Sequence, residues 1–207
     1  MVEDIVRNIK WLGHDGFYIE GEGKKIVIDP YQVKECELAD IILVTHEHFD
    51  HCSPGDVEKI KTPSTVIVTE ADSARMLSGN VKVVRPGDRL TVFNIPIEVV
   101  PAYNVNKQFH PKNKGWLGFI VTIHGTRIYH AGDTDLIPEM GDINADIALL
   151  PVSGTYVMTA EEAVEAVKVI KPKIAIPMHY GAIVGTAKDA KRFKDGVQDL
   201  SKVVILE

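Results

Sequence analysis

The stretch Leu43–Pro54, LVTHEHFDHCSP, constrains the fold more than any other part of this chain. It begins inside an apolar run, DIILVT, that suits a buried strand. His46, His48, Asp50 and His51 follow within six residues. Next comes SPGDVEKI, with Ser53 as a helix N-cap, Pro54 at the first helical position and Asp56 three residues past the cap. The chain therefore turns from strand to helix at a crowd of imidazoles. Protonated imidazoles repel one another and neutral ones pack poorly, so the crowding needs a compensating partner, and a divalent cation supplies one. Residues two apart in extended backbone share a face, so His46 and His48 point the same way, while Asp50 and His51 fall on the turn. An independence estimate gives this pattern by chance in roughly one such chain in a thousand.

The remaining pattern is mostly short strands: IVRNIKW, GFYIE and KKIVID around the turn GEG, then STVIVT, a short helix near Ala71 to Leu77, VKVV, RLTVF and PIEVV. WLGFIVTIHGTRIYHAGD reads as a hairpin turning at His124 and Gly125. Strand and helix then alternate: DIALLP, a helix from about Thr159 to Lys171, KIAIPM, a helix near Ala187 to Asp195, and KVVILE. The Thr159 helix carries a capping box with Glu162 and sets Ala163, Ala166, Val167 and Ile170 on one face. With no repeat and no Pro/Gly/Ser linker, the expectation is one α/β domain over residues 1–207, in two halves that each put helices outside a sheet. Hydrophobic residues make up 45% of the chain, but no apolar stretch reaches the length of a membrane span, and the N-terminus does not read as a secretory signal. We therefore expect a soluble, cytoplasmic protein with no membrane partner. Cys36 and Cys52 read as reduced thiols. The net charge of −6 argues against wholesale attraction to nucleic acid. Self-association is left open.

Open α/β sheets collect ligands at the carboxyl ends of their strands. Asp133 follows TRIYHAG and His179 follows KIAIPM, each placed as His46 is placed after DIILVT. His110, in the polar loop NKQFHPKNKG, is a third candidate, competing with a plain exposed loop histidine.

THEHFDH, HAGDTD and PMHYG, in that order, resemble the HxHxDH signature and remaining ligand segments of the metallo-β-lactamase superfamily. WLGHDGFYIE, VIDPY, GTYVMT and the short chain resemble its ascorbate-phosphate lactonase (UlaG-like) branch of metal-dependent hydrolases. The resemblance implies a four-layer αββα sandwich. It implies two divalent ions, zinc or manganese, with nickel or iron as further options. His46, His48 and His110 would hold one, Asp50, His51 and His179 the other, and Asp133 would bridge them. A hydroxide shared by the ions would attack the substrate, with Asp50 and Asp133 serving catalysis as well as binding. Two ions less Asp50, Asp133 and the hydroxide leave about +1, which favours a small anionic ester, phosphodiester or phosphorylated lactone. Aspartate rather than cysteine at 133 disfavours the antibiotic-degrading zinc enzymes, and histidine rather than glutamate at 48 disfavours a redox di-iron site. The alternative is a metal-binding nucleic-acid-binding or regulatory module with weak or no hydrolase activity.

Other residues carry weaker signals. His14, in the Gly-rich turn of WLGHDGF, is a candidate proton donor or substrate contact, balanced against a plain turn residue. Asp29 is a candidate to orient a ligand histidine or brace the Asp50 loop. His130 reads as structural, His124 as an exposed hairpin tip and Tyr156 as a phenol at a strand end. Lys107, Lys112 and Lys114 flank His110 and would suit a phosphate, although solvated surface explains them as well. Cys52 has no ligand role.

Overall fold

The computed structural model describes residues 2–34 and 37–207, so any bridge from Cys36 to the buried Cys52 lies outside the described residues. The first half of the chain forms a six-stranded sheet in sequence order: β1 (Ile9–Gly13), β2 (Gly16–Gly21), β3 (Lys24–Ile28), β4 (Ile41–Leu43), β5 (Val66–Thr69) and β6 (Asn80–Val83). The first three run antiparallel and β3 to β6 run parallel. The second half forms a seven-stranded sheet from β7 (Arg89–Val92), β8 (Ile95–Pro101), β9 (Leu117–Ile123), β10 (Thr126–His130), β11 (Ile147–Pro151), β12 (Ile174–Met178) and β13 (Lys202–Val203), again in sequence order across the sheet. Here β7 to β10 are antiparallel and β10 to β13 parallel. Each half thus ends in parallel strands, which need crossover connections, and the short helix α3 (Ala71–Ala74) lies on the one between β5 and β6.

The two-residue period of the strands makes the layers. Phe17, Ile19, Ile26, Ile28, Ile41, Leu43, Val66 and Val68 join Ile97, Val99, Phe119, Val121 and Ile128 of the second sheet in one buried cluster. The alternate residues Tyr18, Val27, Ile42 and Ile67 pack the other way, on Val57 and Ile60 of α2 (Pro54–Ile60). The outer face of the second sheet takes α4 (Ala160–Ile170) and α5 (Ala187–Val197), whose Ala163, Val167 and Phe193 are buried. The result is helices, sheet, sheet, helices, the sandwich that the motifs implied. The sheets approach closely at Gly21, where a Cβ would lie 2.1 Å from Ile123 Cγ2.

The expected punctuation is present. Ser53 caps α2 with Pro54 in its first turn, and Thr159 and Glu162 close a capping box on α4, whose buried face includes the four expected residues. Glu22–Gly23 and His124–Gly125 both have positive φ, which gives tight hairpins. One expectation fails: IVRNIKW is not a single strand. Val2–Val6 forms helix α1, and β1 begins only at Ile9, which pairs with Ile19. Its partner β2 stops at Gly21, so residues upstream of Asn8 have no ladder to join. Glu3 and Asp4 sit where a helix N-terminus favours acids. Among the described residues no helix is long and apolar enough to cross a membrane.

Candidate metal centre

One end of the sandwich collects every singled-out ligand. His46 to His51 follow β4, Asp133 follows β10, His179 directly follows β12, and His110 lies between β8 and β9. His14 and Asp15 form the β1–β2 turn beside Asp29, which follows β3. Four non-glycine residues here, His14, Asp29, Tyr156 and His179, adopt left-handed φ of 45–70°, a conformation that costs about 1 kcal/mol or more each and persists only where the surroundings impose it. Hydrogen bonds do the imposing: the His14 carbonyl accepts from His179 N at 3.0 Å and from Trp11 Nε1 at 2.9 Å. At Gly132 a Cβ would lie 2.5 Å from the Leu117 carbonyl, so only glycine lets the Asp133 turn lie this close to β9.

Five histidines surround Asp133 in two groups. In the first, His46 Nε2 lies 3.0 Å from His48 Nδ1, and His110 Nε2 lies 3.1 Å from Asp133 Oδ2. His46, His48 and His110 present ligand atoms within 4.8 Å of one another. Trp116 covers them, its ring centroid 4.7 Å from His46, 4.8 Å from His48 and 5.2 Å from His110. In the second group, His51 Nε2 lies 3.4 Å from Asp133 Oδ1 and 3.8 Å from Asp50 Oδ2, and His179 Nε2 lies 3.3 Å from Asp133 Oδ2. All seven expected ligands therefore converge, including His110, which is buried rather than an exposed loop histidine.

The far nitrogen of each buried ring is tied down. His51 Nδ1–H donates to Asp29 Oδ2 at 2.8 Å, so Asp29 does orient a ligand histidine. Asp29 also accepts from Thr45 N and Oγ1, and Thr45 Oγ1 accepts from His46 Nδ1–H at 3.0 Å. His110 Nδ1–H donates to the Tyr156 carbonyl at 3.1 Å, and His179 Nδ1–H to Ser153 Oγ at 2.8 Å. In the neutral ring each tie fixes the tautomer that leaves Nε2 free of a proton and facing inward. Among the described residues, Nε2 of His51, His110 and His179 and Oδ1 of Asp133 are buried with no hydrogen-bond partner. Buried polar atoms are seldom left so, and a shared cation is the simplest group that satisfies four of them together. The residues fit a pair of divalent ions.

The charges of the bare site point the same way. Burial and neighbouring histidines hold His46 well below the ordinary imidazole range, and burial with His110 lowers His48. Burial opposes charge on His51 and His179 too, but Asp133 and its fellow carboxylates outweigh it, raising His51 well above the ordinary range and His179 to about 9. Burial likewise works against ionised Asp133, yet His179, His51 and His110 together carry it well below the usual carboxylate range.

Several residues gain roles that the sequence left hidden. His14 is buried and donates from Nε2 to Asp50 Oδ2 at 3.1 Å, which holds that carboxylate in place. His130, expected to be structural, links two site loops: Nε2–H donates to the Asp15 carbonyl at 2.9 Å and Nδ1 accepts from Gly132 N. Asp135 ties the His110 loop to the Asp133 turn by accepting from Val105 N, Asn106 N and Lys107 Nζ. The three lysines beside His110 are all engaged by carboxylates: Lys107 with Asp135, Lys112 with Glu139, and Lys114 with Glu47. A cavity of about 270 Å³ opens over the centre between His48, Asp50, His110 and Asp133, and its rim is Phe49, Phe109, Tyr156 and Ile183. Phe49 and Phe109 are largely exposed.

The sequence matches the beta-lactamase superfamily domain over residues 8–179. The chain belongs to that superfamily. Within it, the UPF0173 metal-dependent hydrolase of Thermococcus kodakarensis is 37% identical over 96% of both chains, and that of Archaeoglobus fulgidus is 36% identical over 92% of this chain and 90% of its own. Solved structures agree. One from Parabacteroides distasonis, 36% identical, superposes with a TM-score of 0.86 over 96% of this chain and 93% of its own; a metallo hydrolase from Ignicoccus hospitalis, 26% identical, gives 0.79 over 96% and 94%. This family member therefore shares its fold with these relatives and aligns with them over nine-tenths or more of both chains.

Proposed function

We propose that this beta-lactamase superfamily member is a metal-dependent hydrolase that cleaves an ester, a phosphodiester or a lactone. The observation that carries the reading is the ring of tied histidines whose inward nitrogens are orphaned around Asp133. His46, His48 and His110 would hold one divalent ion, Asp50, His51 and His179 a second, and Asp133 would serve both. Such a pair, when bound, supplies Lewis acidity and brings the pKa of a water between the ions down to about 7. The chain's own residues do the rest. His14 fixes the direction of the Asp50 carboxylate. Trp116 shields the first histidine group from bulk water, which keeps its electrostatics strong.

The mouth bears on the substrate. With Lys107, Lys112 and Lys114 occupied by carboxylates, an anionic group has only the cations to bind, so the charge belongs at the scissile group itself. Beside it, Phe49, Phe109, Tyr156 and Ile183 offer an apolar shelf. A lactone or phosphodiester with an apolar arm fits better than a small, multiply charged sugar phosphate. The motif GHDGFYIE supports a place near the ascorbate-phosphate lactonase branch, although that branch's substrate is more highly charged than this mouth suggests.

The test is a panel of lactones, aryl esters and bis(p-nitrophenyl) phosphate assayed on chelator-stripped protein resupplied with manganese or zinc. Turnover that vanishes on stripping and returns with metal is expected. Tight metal binding without turnover of any class would favour the regulatory, non-hydrolytic alternative.

A further inference from the structure

Asp15 stands directly after His14 in a turn that nothing in its own composition marks as special. It is fully buried, and among the described residues neither carboxylate oxygen has a hydrogen-bond partner. A carboxylate stripped of water and left without donors is costly, so such a group calls for a compensating charge. What surrounds it is informative: Asp15 Oδ2 lies 3.6 Å from His51 Nε2, 3.8 Å from His14 Nε2 and 3.9 Å from His179 Nε2. These are too long for hydrogen bonds. The separations from His51 and His179 suit ligands that share a cation, since nitrogen and oxygen ligands each about 2.0–2.2 Å from an ion sit about 3–4 Å from one another, whereas His14 Nε2–H is already given to Asp50. His14, Asp15, His51 and His179 together offer ligand atoms within 4.8 Å of one another.

The backbone around Asp15 is built to keep it there. His130 donates to its carbonyl, the preceding His14 carbonyl is gripped by His179 N, and Gly16 packs so tightly that a Cβ would meet the Gly13 and Asp29 carbonyls at 3.1 and 3.2 Å. Such a held turn aims the side chain into the site rather than leaving it to find a partner at the surface.

We propose that Asp15 is a further ligand of the cation held by His51 and His179, an inference that rests on the reading of this end of the sandwich as a metal centre. That second site would then combine two imidazoles with Asp15, Asp50 and Asp133, whereas the first offers three imidazoles and a share of Asp133. Carboxylate-rich sites suit harder, higher-coordinate ions, so the second site takes manganese in preference to zinc. The extra negative charge also cancels the net positive charge expected of the centre, in keeping with a mouth whose lysines are paired and whose rim is apolar.

The experiment titrates Mn²⁺ and Zn²⁺ into chelator-stripped wild type, Asp15→Asn and Asp15→Ser by calorimetry, and records the visible absorption of Co²⁺-loaded protein. Wild type takes up two equivalents. Both variants retain the tighter zinc equivalent at His46, His48 and His110, and lose affinity for the second ion by about tenfold or more, with manganese affected most. Their Co²⁺ bands intensify as the second ion loses a ligand. In the absence of metal, Asp15→Asn melts close to wild type, because losing the attraction to His51 and His179 is offset by no longer burying a carboxylate without hydrogen bonds; a large drop would assign Asp15 a purely structural role and overturn the proposal. Two equivalents bound by both variants with unchanged affinity and Co²⁺ spectrum would overturn it as well. No metal uptake by wild type would instead sink the metal-centre reading beneath it. A crystal structure of manganese-loaded wild type needs no variant: an Asp15 oxygen at ligand distance supports the assignment, and one beyond 3 Å from the ion defeats it.

Discussion

The two halves of the centre are built from different materials. His46, His48 and His110 lie under the Trp116 ring beside the open cavity, and His48 is only half buried. His51 and His179 lie deeper, among Asp15, Asp50 and Asp133, with Asp29 behind them. One half is nitrogen-rich and the other oxygen-rich, and the cavity opens between them, lined by His48 and His110 of the first and by Asp50 and Asp133. In the first half burial lowers His46 and His48. In the deeper half carboxylates overcome burial, so His51 and His179 are raised instead of lowered. The contrast teaches that the deep half is held together by opposite charges even before a cation arrives, whereas in the shallow half burial disfavours charge on His46 and His48, which suits those rings to a cation.

The largest effect should come from the residue the halves share. Replacing Asp133 by alanine removes the carboxylate within 3.4 Å of His51, His110 and His179. Metal content measured by elemental analysis should fall from two equivalents to one or fewer, and turnover by about a thousandfold or more, as for other metal-assisted hydrolyses that lose an ion. Unchanged turnover would overturn the shared role. Next in size is a pair of variants that separates the halves. Asp29→Asn weakens the His51 tie directly and the His46 tie through Thr45, whereas Thr45→Val removes only the hydroxyl between Asp29 and His46. Loss of such outer partners costs about 10- to 100-fold in metal affinity. Asp29→Asn should weaken both equivalents and Thr45→Val chiefly the shallow one; equal losses from the two variants would erase the distinction between the halves.

Much of this centre was legible in the sequence, and the reason is local. His46, His48, Asp50 and His51 are neighbours along the chain, and Asp133 and His179 each end an apolar run, so periodicity and strand position suffice to find them. What stayed hidden depends on contacts between distant segments. His130 reaches Asp15 across 115 residues and Ser153 reaches His179 across 26, and neither pairing leaves a spacing in the sequence. Asp15 and Trp116 drew no reading from the sequence, because what they do depends on the residues that surround them. The sandwich itself was readable from alternation, but the first turn of the chain was not: IVRNIKW alternates like a strand, and only the end of β2 at Gly21 shows why its start coils into α1.

The pH dependence of the bare protein should be smaller but has a definite sign. His179 is raised from an unfolded value of about 6.5 to about 9. Its contribution to stability is therefore complete below about pH 6.5 and is lost as the pH rises through about 9. Asp133 is depressed, so its contribution is complete above about pH 4 and is lost as the pH falls through its lowered value. His46 and His48 are lowered instead, so the unfolded chain takes up protons there that the folded one does not, and stability also falls below about pH 6.5. Thermal melts of chelator-stripped protein should therefore show a maximum near pH 6.5 and a decline toward pH 9. Metal competes with protons for the same nitrogens, so the stabilisation produced by added metal should grow over that same upper range. A stripped protein that gains stability from pH 6.5 to 9 would contradict the charge pairing assigned to the deep half.

The smallest expected effect tests whether the shallow half faces substrate. Phe109 is largely exposed at the cavity rim, its ring centroid 4.5 Å from that of Tyr156, and it touches none of the expected ligands' tied nitrogens. An apolar arm laid on it would cover half of the ring's surface, on the order of 1 kcal/mol or a fivefold change in affinity at about 25 cal/mol per Å². Phe109→Ala should therefore raise KM about fivefold for an aryl or alkyl ester and leave KM for its methyl counterpart nearly unchanged, with both metal equivalents retained. The split between the two substrates is what matters: equal losses on both would mean that Phe109 only supports the His110 loop, and no loss on either would mean that the arm lies elsewhere. Because Asp15 is not among the residues that line this cavity, Asp15→Asn should alter metal occupancy without producing the same split, and that difference keeps the two roles separable by measurement.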